Sequence, residues 1–332
     1  MLFVPPSGGG MESSMSDKKR QAVSAAGFLA VFGVLLALAT RFDLDVSHML
    51  ADRNLVASRY FSTSILCNLV EIAGMAPIWV AATFAASVLT VYFHCKKGGL
   101  RHLRGFFFVL TVAVSALLLR DMLKYSLMIG GREELLNAPW MIAVLLAFGL
   151  TVSSLILKLA GERIRQNMGL LLPFALAIVC ACCCHLWIEV IKNPMGRMRY
   201  RAMHLIDDYS WFTPWYRPGS ARQLLAGQGL PGDYFKSFPS GHTYAASMSY
   251  LLILFPDLFR NWKTGRRKVL SYVIPVAYTG FVAFFRIAAG AHFFSDVLVG
   301  GTMGFVAVQV FRYIFLYRLR ARIEKCGMKA AA

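Results

Sequence analysis

Lys192-Asn-Pro-Met-Gly-Arg-Met-Arg199, Pro239-Ser-Gly-His242 and Arg286-Ile-Ala-Ala-Gly-Ala-His292-Phe-Phe-Ser-Asp296 each lie beside a long apolar run. Cations, two histidines and a carboxylate recur in these stretches at definite intervals. Ionisable residues beside membrane-spanning segments usually carry function. We therefore expect the remainder of the chain to be a scaffold that brings the three stretches together.

Composition indicates what kind of scaffold this is. The 332 residues are 57% hydrophobic and only 16% charged, well outside the range of soluble domains. Several apolar runs reach the roughly 20 residues that a helix needs to cross a bilayer. We predict an all-α, polytopic membrane helix bundle with about eight spans, near residues 23–40, 76–94, 105–121, 139–158, 168–190, 242–257, 268–286 and 296–317.

The remaining segments complete the predicted organisation. Residues 1–20 are expected to be a disordered tail, 21–167 the N-terminal spans, 168–320 the functional core and 321–332 a cytoplasmic tail. Residues 41–75 mix charged and apolar positions, which favours an amphipathic or re-entrant segment at the interface.

The formal net charge of +18 has two interpretations, nucleic-acid binding and membrane topology. Lys and Arg concentrate at alternate ends of the predicted spans, as the positive-inside rule requires, so the lipid bilayer is the expected partner and nucleic acid is not. This pattern places both termini in the cytoplasm and the three motifs on the extracytoplasmic face. We expect an integral protein of a bacterial plasma membrane. The sequence leaves the oligomeric state open.

Four of the seven cysteines cluster in Cys180-Ala-Cys-Cys-Cys-His185. A zinc site is one interpretation, but these residues lie within an apolar helix, where Cys behaves as a small hydrophobe. We predict no metal and no cofactor.

The first and second motifs contain groups suited to binding an anion. Lys192 and Arg199 are two helical turns apart, so they can share one face of a helix. An Arg side chain can bind two phosphate oxygens at once through its guanidinium group, whereas a Lys side chain acts as a point charge. A basic cluster that contacts lipid headgroups is the alternative for this segment, and we assign Arg197 and Arg201 to such contacts. Ser240 and Gly241 open a helix, whose free N–H groups can bind an anion, and His242 follows at its edge.

The third motif contains a candidate nucleophile. His292 and Asp296 are four residues apart, so they face each other if a helix begins here. A carboxylate on one imidazole nitrogen leaves the other free to attack. The alternative is that Asp296 only stabilises the N-terminus of a helix with its negative charge and does not orient His292.

Together the motifs resemble the signature of the type-2 phosphatidic acid phosphatase family. Lys192 and Arg199, the complete Pro239-Ser-Gly-His242, and Arg286, His292 and Asp296 match that signature in type, spacing and order. Tyr200 replaces a proline and Phe285 replaces a serine of the signature. The family core has three spans before the first motif, so two of the five predicted here are additional.

The resemblance implies a metal-independent lipid phosphatase with a phosphohistidine intermediate. His292 would attack phosphorus, Asp296 would hold its ring, and His242 would protonate the leaving group. Lys192, Arg199, Ser240, Gly241 and Arg286 would bind the phosphate. Substrates implied by the family are phosphatidic acid, phosphatidylglycerol phosphate and polyprenyl pyrophosphate.

Two other functions remain open. A lipid phosphotransferase would use the same site with another acceptor, and a catalytically silent lipid-binding or transport protein would keep the fold alone. The soluble haloperoxidase branch of the superfamily is excluded by the apolar spans. Trp211 and Trp215, in the loop before Phe238, suggest either interfacial anchors or a gate for lipid entry.

Overall fold

The chain is described by a computed structural model covering residues 11–96, 99–225, 227 and 229–331. The first half contains α1 (Met11–Ala51), α2 (Ile65–Ala73), α3 (Ala76–Cys95), α4 (Leu103–Ile129) and α5 (Pro139–Gln166). The second half contains α6 (Met168–Cys183), α7 (Leu186–Met195), α8 (Tyr200–Leu205), α9 (Ala221–Leu224), α10 (Gly241–Ser247), α11 (Phe255–Leu258), α12 (Gly265–Ala288), α13 (Phe294–Arg312) and α14 (Arg320–Ala331). The described residues contain no β-strand, which confirms the predicted all-α class.

Seven helical segments in the described residues are long and apolar enough to cross a membrane. They are Ala22–Ala51, Ile65–Cys95, Gly99–Ile129, Pro139–Gln166, Met168–Met195, Gly265–Ala288 and Phe294–Arg318. Many large apolar side chains on them face outward; Leu29 and Val34 of α1, for example, are 63% and 62% exposed. Exposure of this kind fits a protein whose surroundings are lipid. The chain is therefore a polytopic membrane protein.

The predicted span at 242–257 is not a single helix. α10 has seven residues, a 3₁₀ segment follows at Met248–Leu254, and α11 has four. Pro256 explains part of the interruption, because a proline ring clashes with the carbonyl four residues earlier in a continuous α-helix. The Ser247 hydroxyl also donates to the Tyr244 carbonyl at 2.6 Å, which competes with regular helical bonding.

The broken segment nevertheless runs the length of α13. At one end the Ser240 N–H donates to the Asp296 carbonyl at 3.0 Å, and at the other end Arg312 Nε donates to Asp257 Oδ2 at 2.7 Å. Asp296 and Arg312 lie near opposite ends of α13. Residues 241–258 therefore make an eighth passage beside the seven continuous spans.

Two predicted boundaries differ from the structure. The first ten residues of the predicted disordered tail lie outside the described residues, whereas residues 11–20 continue into α1. The predicted interfacial segment at 41–75 is divided between the end of α1, an irregular stretch and α2, which leads through Gly74 into α3. A gradual change from polar to apolar residues hides such helix ends from a sequence reading.

Small and hydroxylated residues let the helices approach closely. Thr90 and Thr111 join α3 to α4 through their hydroxyls at 3.2 Å, and Trp79 Nε1 donates to Asp121 Oδ2 at 2.6 Å. Such residues are typical of helix contacts in membranes. A separate apolar cluster, which includes Leu55, Tyr200, Phe235 and Phe293, packs the loop between α8 and α10 over one end of the bundle. All three motifs lie at that end.

We expect Gly300→Ala to destabilise the protein. A Cβ atom at Gly300 on α13 would overlap the carbonyl oxygen of Ser240, a backbone atom that cannot swing away. Overpacking of this kind costs roughly 1–3 kcal/mol, so the melting temperature in detergent should fall. Gly280→Ala on α12 is the matched control, since no atom lies within 4 Å of its Cβ position. Equal melting temperatures for the two variants would contradict this helix contact.

Candidate active site

The three motifs converge at one end of the bundle, and their side chains are buried. Lys192 lies in the last turn of α7, Arg286 lies in the last turn of α12, and His242 is the second residue of α10. His292 lies in the short turn between α12 and α13, and Asp296 lies in the first turn of α13. Relative exposures run from 0% for Asp296 to 9% for Lys192.

The surroundings of His292 leave one ring nitrogen available. Its Nδ1 lies 2.6 Å from the carbonyl oxygen of Ser237, which can only accept, so Nδ1 carries the proton and Nε2 has the free lone pair. Burial, then the charges of Arg286, Arg199 and Lys192, hold the pKa of His292 well below its usual value. A neutral imidazole with a free Nε2 is the form required of a nucleophile.

Asp296 is placed differently from the sequence expectation. Its Oδ2 lies 3.6 Å from His292 Nδ1, within ion-pair range, while the Ser237 carbonyl takes the direct hydrogen bond. Asp296 instead accepts from Arg197 Nη1 at 2.5 Å, from the Ser237 hydroxyl at 2.5 Å and from the Phe293 N–H at 2.8 Å. It therefore fixes the segments on both sides of the imidazole.

Arg197 and Arg201 do not contact headgroups as we predicted, because both are buried. Arg197 is 0% exposed and bridges Asp296 to Asp43 of α1, with Nη2 donating to Asp43 Oδ2 at 2.9 Å. Arg201 is 1% exposed and donates to Glu71 of α2 at 2.9 Å. The reason is that buried carboxylates on distant helices need cationic partners, which a reading of local sequence does not reveal.

His242 is anchored from α2. Its Nε2 lies 3.1 Å from the carbonyl oxygen of Glu71, so Nε2 is the donor in that bond and Nδ1 remains for proton transfer. The ring meets Tyr125 of α4 edge to face, with 5.2 Å between ring centroids. A Cβ atom at Gly74 would lie only 2.6 Å from His242 Cδ2, so the residue at this helix junction must be small.

Each cation expected to bind phosphate has an acidic partner. Lys192 Nζ donates to Glu189 Oε1 at 3.0 Å, and Arg286 pairs with Glu71. Arg199 donates to the Asp233 carbonyl at 2.9 Å and to its Oδ1 at 3.0 Å. Burial alone would raise the pKa of the Asp233 carboxyl, but Arg199 and then Arg201 outweigh burial and lower this pKa to about 2.

Ser240 and Gly241 occupy the predicted helix start. The Ser240 hydroxyl accepts from the Thr243 N–H at 3.3 Å as the N-cap of α10. A Cβ atom at Gly241 would lie 3.2 Å from Lys192 Nζ and 3.3 Å from His185 Nε2. Glycine therefore lets the ammonium group and an imidazole approach the backbone, which indicates a compact anion site.

Several residues around the site were missed in the sequence. His48 lies 3.6 Å from Asp52, and the buried Nε2 of His185 adjoins Gly241. Asp43 and Glu71 were assigned to an interfacial segment. The sequence did contain a signal for these two carboxylates, because an acidic residue in or beside an apolar membrane segment is usually functional.

Three side chains fix the loop between α8 and α10 and the segment before it. Tyr200, in place of the motif proline, bonds through its hydroxyl to His48 Nδ1 at 2.8 Å and to Asp52, which joins α8 to α1. His204 bonds to the Tyr209 hydroxyl at 2.6 Å. Trp215 Nε1 donates to Thr40 Oγ1 at 2.8 Å, so this aromatic residue anchors the loop to α1. Its role as a gate stays a prediction.

No group of three or more His, Cys, Asp or Glu side chains suited to a metal ion occurs among the described residues.

Residues 168–320 match the model of the PAP2 superfamily. The chain is 30% identical over 169 residues to a protein named "Probable diacylglycerol pyrophosphate phosphatase 1" of Schizosaccharomyces pombe. That alignment covers 46% of this chain and 54% of the relative, so the chain spans about half the length of the curated relative it matches. No solved structure matches the chain significantly.

We expect Arg197→Gln to act mainly on stability. It leaves Asp43 and Asp296 buried without their shared cation, and breaking a buried pair costs about 3–5 kcal/mol. The melting temperature in detergent should fall much further than for Arg53→Gln, which changes an exposed arginine. A small, equal effect of both substitutions would argue against the buried bridge.

The Arg199–Asp233 pair predicts a pH dependence. Because the pKa of Asp233 is lowered in the folded protein, its contribution to stability is complete above the unfolded value of about 4 and is lost as the pH falls toward 2. The melting temperature of wild type should exceed that of Asp233→Asn from pH 8 to about pH 4, and the difference should shrink below that. Asp45→Asn controls for loss of an exposed charge. A difference that is unchanged at pH 3 would contradict the assignment.

Proposed function

We propose that this chain is a membrane phosphatase of the PAP2 superfamily that acts on a lipid phosphate or pyrophosphate, because residues 168–320 match the model of that superfamily. The observation that carries the proposal is His292. Its tautomer leaves Nε2 free, and its burial together with the charges of Arg286, Arg199 and Lys192 lowers its pKa. The name of the yeast relative supports a lipid pyrophosphate as one substrate class, beside phosphatidic acid, phosphatidylglycerol phosphate and polyprenyl pyrophosphate.

We assign the steps as follows. His292 Nε2 attacks phosphorus and forms a P–N bond as the P–O bond to the lipid portion breaks. His242 keeps its Nε2 proton on the Glu71 carbonyl, takes up a second proton on Nδ1 when the anionic substrate binds, and gives that proton to the departing oxygen. His242 then takes a proton from water, the water oxygen attacks phosphorus, the P–N bond breaks and inorganic phosphate leaves. His292 Nδ1 keeps its proton throughout and donates it in a hydrogen bond to the Ser237 carbonyl oxygen.

The cations stabilise the charge that develops on phosphorus. Lys192, Arg199 and Arg286 would bind the equatorial oxygens, with the Ser240 hydroxyl and the Gly241 N–H at the helix start. Metal independence follows from this assignment, because the three fixed cations supply the charge stabilisation that a metal ion supplies in other phosphoryl-transfer sites.

An apolar cavity supports a lipid substrate. It has a volume of about 290 Å³ and is lined by residues of α1, α10, α12 and α13, including Phe28, Thr243 and Val297. Thr243 and Val297 are the chain neighbours of His242 and Asp296, so the cavity lies between helices that also carry proposed catalytic residues. A lipid chain held there would reach the site laterally from the bilayer. The distribution of Lys and Arg supports a site on the extracytoplasmic face, with both termini in the cytoplasm.

Phosphate release by detergent-purified protein tests the function. With excess chelator present, we expect release from at least one lipid phosphate or pyrophosphate, and a loss of at least about 1,000-fold for His292→Ala. His102→Ala, an exposed histidine before α4, is the matched control.

Each contrary outcome has a distinct meaning. Loss of release on chelation would contradict metal independence. Consumption of the donor without free phosphate would indicate a phosphotransferase, and lipid binding without consumption would indicate a carrier.

A further inference from the structure

Glu71 places a buried carboxylate among the cations of the site. It lies on α2, outside the segment that matches the superfamily model, and is 2% exposed. Its carboxylate accepts from Arg201 Nη1 at 2.9 Å and Nη2 at 3.4 Å, and from Arg286 Nη1 through a short contact. One acidic side chain therefore joins the first motif region to the arginine of the third.

Glu71, Arg201 and Arg286 together carry excess positive charge, which can bind a further anion. Two guanidinium groups and one carboxylate have a net charge of +1. In addition, the Nε atoms of Arg201 and Arg286 are buried without a hydrogen-bond partner among the described residues. The guanidinium group of Arg201 lies over the rings of Tyr60 and Phe61, 4.3 and 4.9 Å from their centroids, so the argument rests on Arg286. A buried donor without an acceptor is costly, and the free Nε of Arg286 indicates that a ligand supplies the acceptor. Arg286 can keep Glu71 on Nη1 while it donates from Nε to a phosphate oxygen.

Glu71 also contacts the proposed general acid. Its carbonyl oxygen accepts from His242 Nε2 at 3.1 Å, which fixes the tautomer and orientation of that ring. The same residue thus orients a phosphate-binding arginine with its side chain and the proton donor with its backbone. A shift of α2 would move both groups together.

We propose that Glu71 is a positioning residue of the phosphatase site, held by Arg201 on one side and holding Arg286 on the other, so that the free Nε–H of Arg286 faces the transferred phosphoryl group. This inference rests on the proposed function. Displacement of Glu71 by substrate is the competing interpretation. It would leave a carboxylate buried and unpaired at membrane depth, whereas the free Nε donor of Arg286 makes such displacement unnecessary.

Glu71→Gln tests the proposal, with Glu134→Gln, an exposed glutamate before α5, as the matched control. If Glu71 positions Arg286, kcat should fall about 100-fold, since small misplacements of a catalytic group have effects of this size. Orthovanadate, which mimics the pentacoordinate transition state, should inhibit the variant correspondingly less. Unchanged kcat, or tighter vanadate inhibition, would overturn the proposal in favour of a displaced carboxylate.

A double-mutant cycle separates positioning from general stability. Arg286→Lys should lower kcat strongly in wild type and little further in Glu71→Gln, because Glu71 acts through Arg286. Additive losses would contradict the proposal. If Glu71→Gln fails to fold, Glu71→Asp keeps the charge and withdraws the carboxylate by one methylene. We then expect a melting temperature near wild type with kcat lowered about tenfold, and full activity would again overturn the proposal.

The outcomes for the two proposals are distinguishable. If wild type hydrolyses no lipid phosphate, the proposed function fails. Vanadate-dependent stabilisation of wild type and variant, measured by melting temperature, still tests whether Glu71 orients the anion-binding Arg286. If wild type is active and the Glu71 variants match it, only the positioning role fails.

Discussion

The structure depends on pairing buried cations with carboxylates that come from elsewhere in the chain. Lys192, Arg197, Arg199, Arg201 and Arg286 are all at most 9% exposed. A buried charge without a partner is very unfavourable, and at membrane depth no bulk water is available to relieve it. Asp43 pairs with Arg197, and Glu71 pairs with Arg201 and Arg286. Asp296, which lies beside the proposed nucleophile, is held by this same set of interactions through Arg197.

This pairing gives the helices before residue 168 a physical role. The segment that matches the superfamily model provides the cations, whereas Asp43 on α1 and Glu71 on α2 neutralise part of their charge. Tyr125 on α4 adds a ring against His242. The N-terminal helices are thus part of the site's electrostatics as well as of its scaffold. Their contribution also explains why Tyr200 is compatible with the motif, since its hydroxyl finds partners on α1.

The sequence predicted the fold class and identified motifs that the structure brings to one end of the bundle, but it could not supply their partners. Spans and motif spacing are local properties, and long apolar runs with short signatures reveal them. Pairings such as Asp43 with Arg197 join residues 154 positions apart and leave no local trace. The same limit applies to Ser237, whose carbonyl takes the hydrogen bond expected of Asp296. The predicted span at 242–257 lost its regularity because Pro256 and Ser247 act against a continuous α-helix.

The long separation of these ion pairs has a consequence for biogenesis. During synthesis α1 and α2 enter the membrane before any of their arginine partners exist, and Arg286 follows Glu71 by 215 residues. Until then, the carboxylates of Asp43 and Glu71 must remain near the aqueous boundary or carry protons. Asp43 can pair with Arg197, and Glu71 with Arg201, only after the fifth continuous span has been made. The pair between Glu71 and Arg286 requires the next continuous span as well, so the buried charges of the early helices are neutralised in stages.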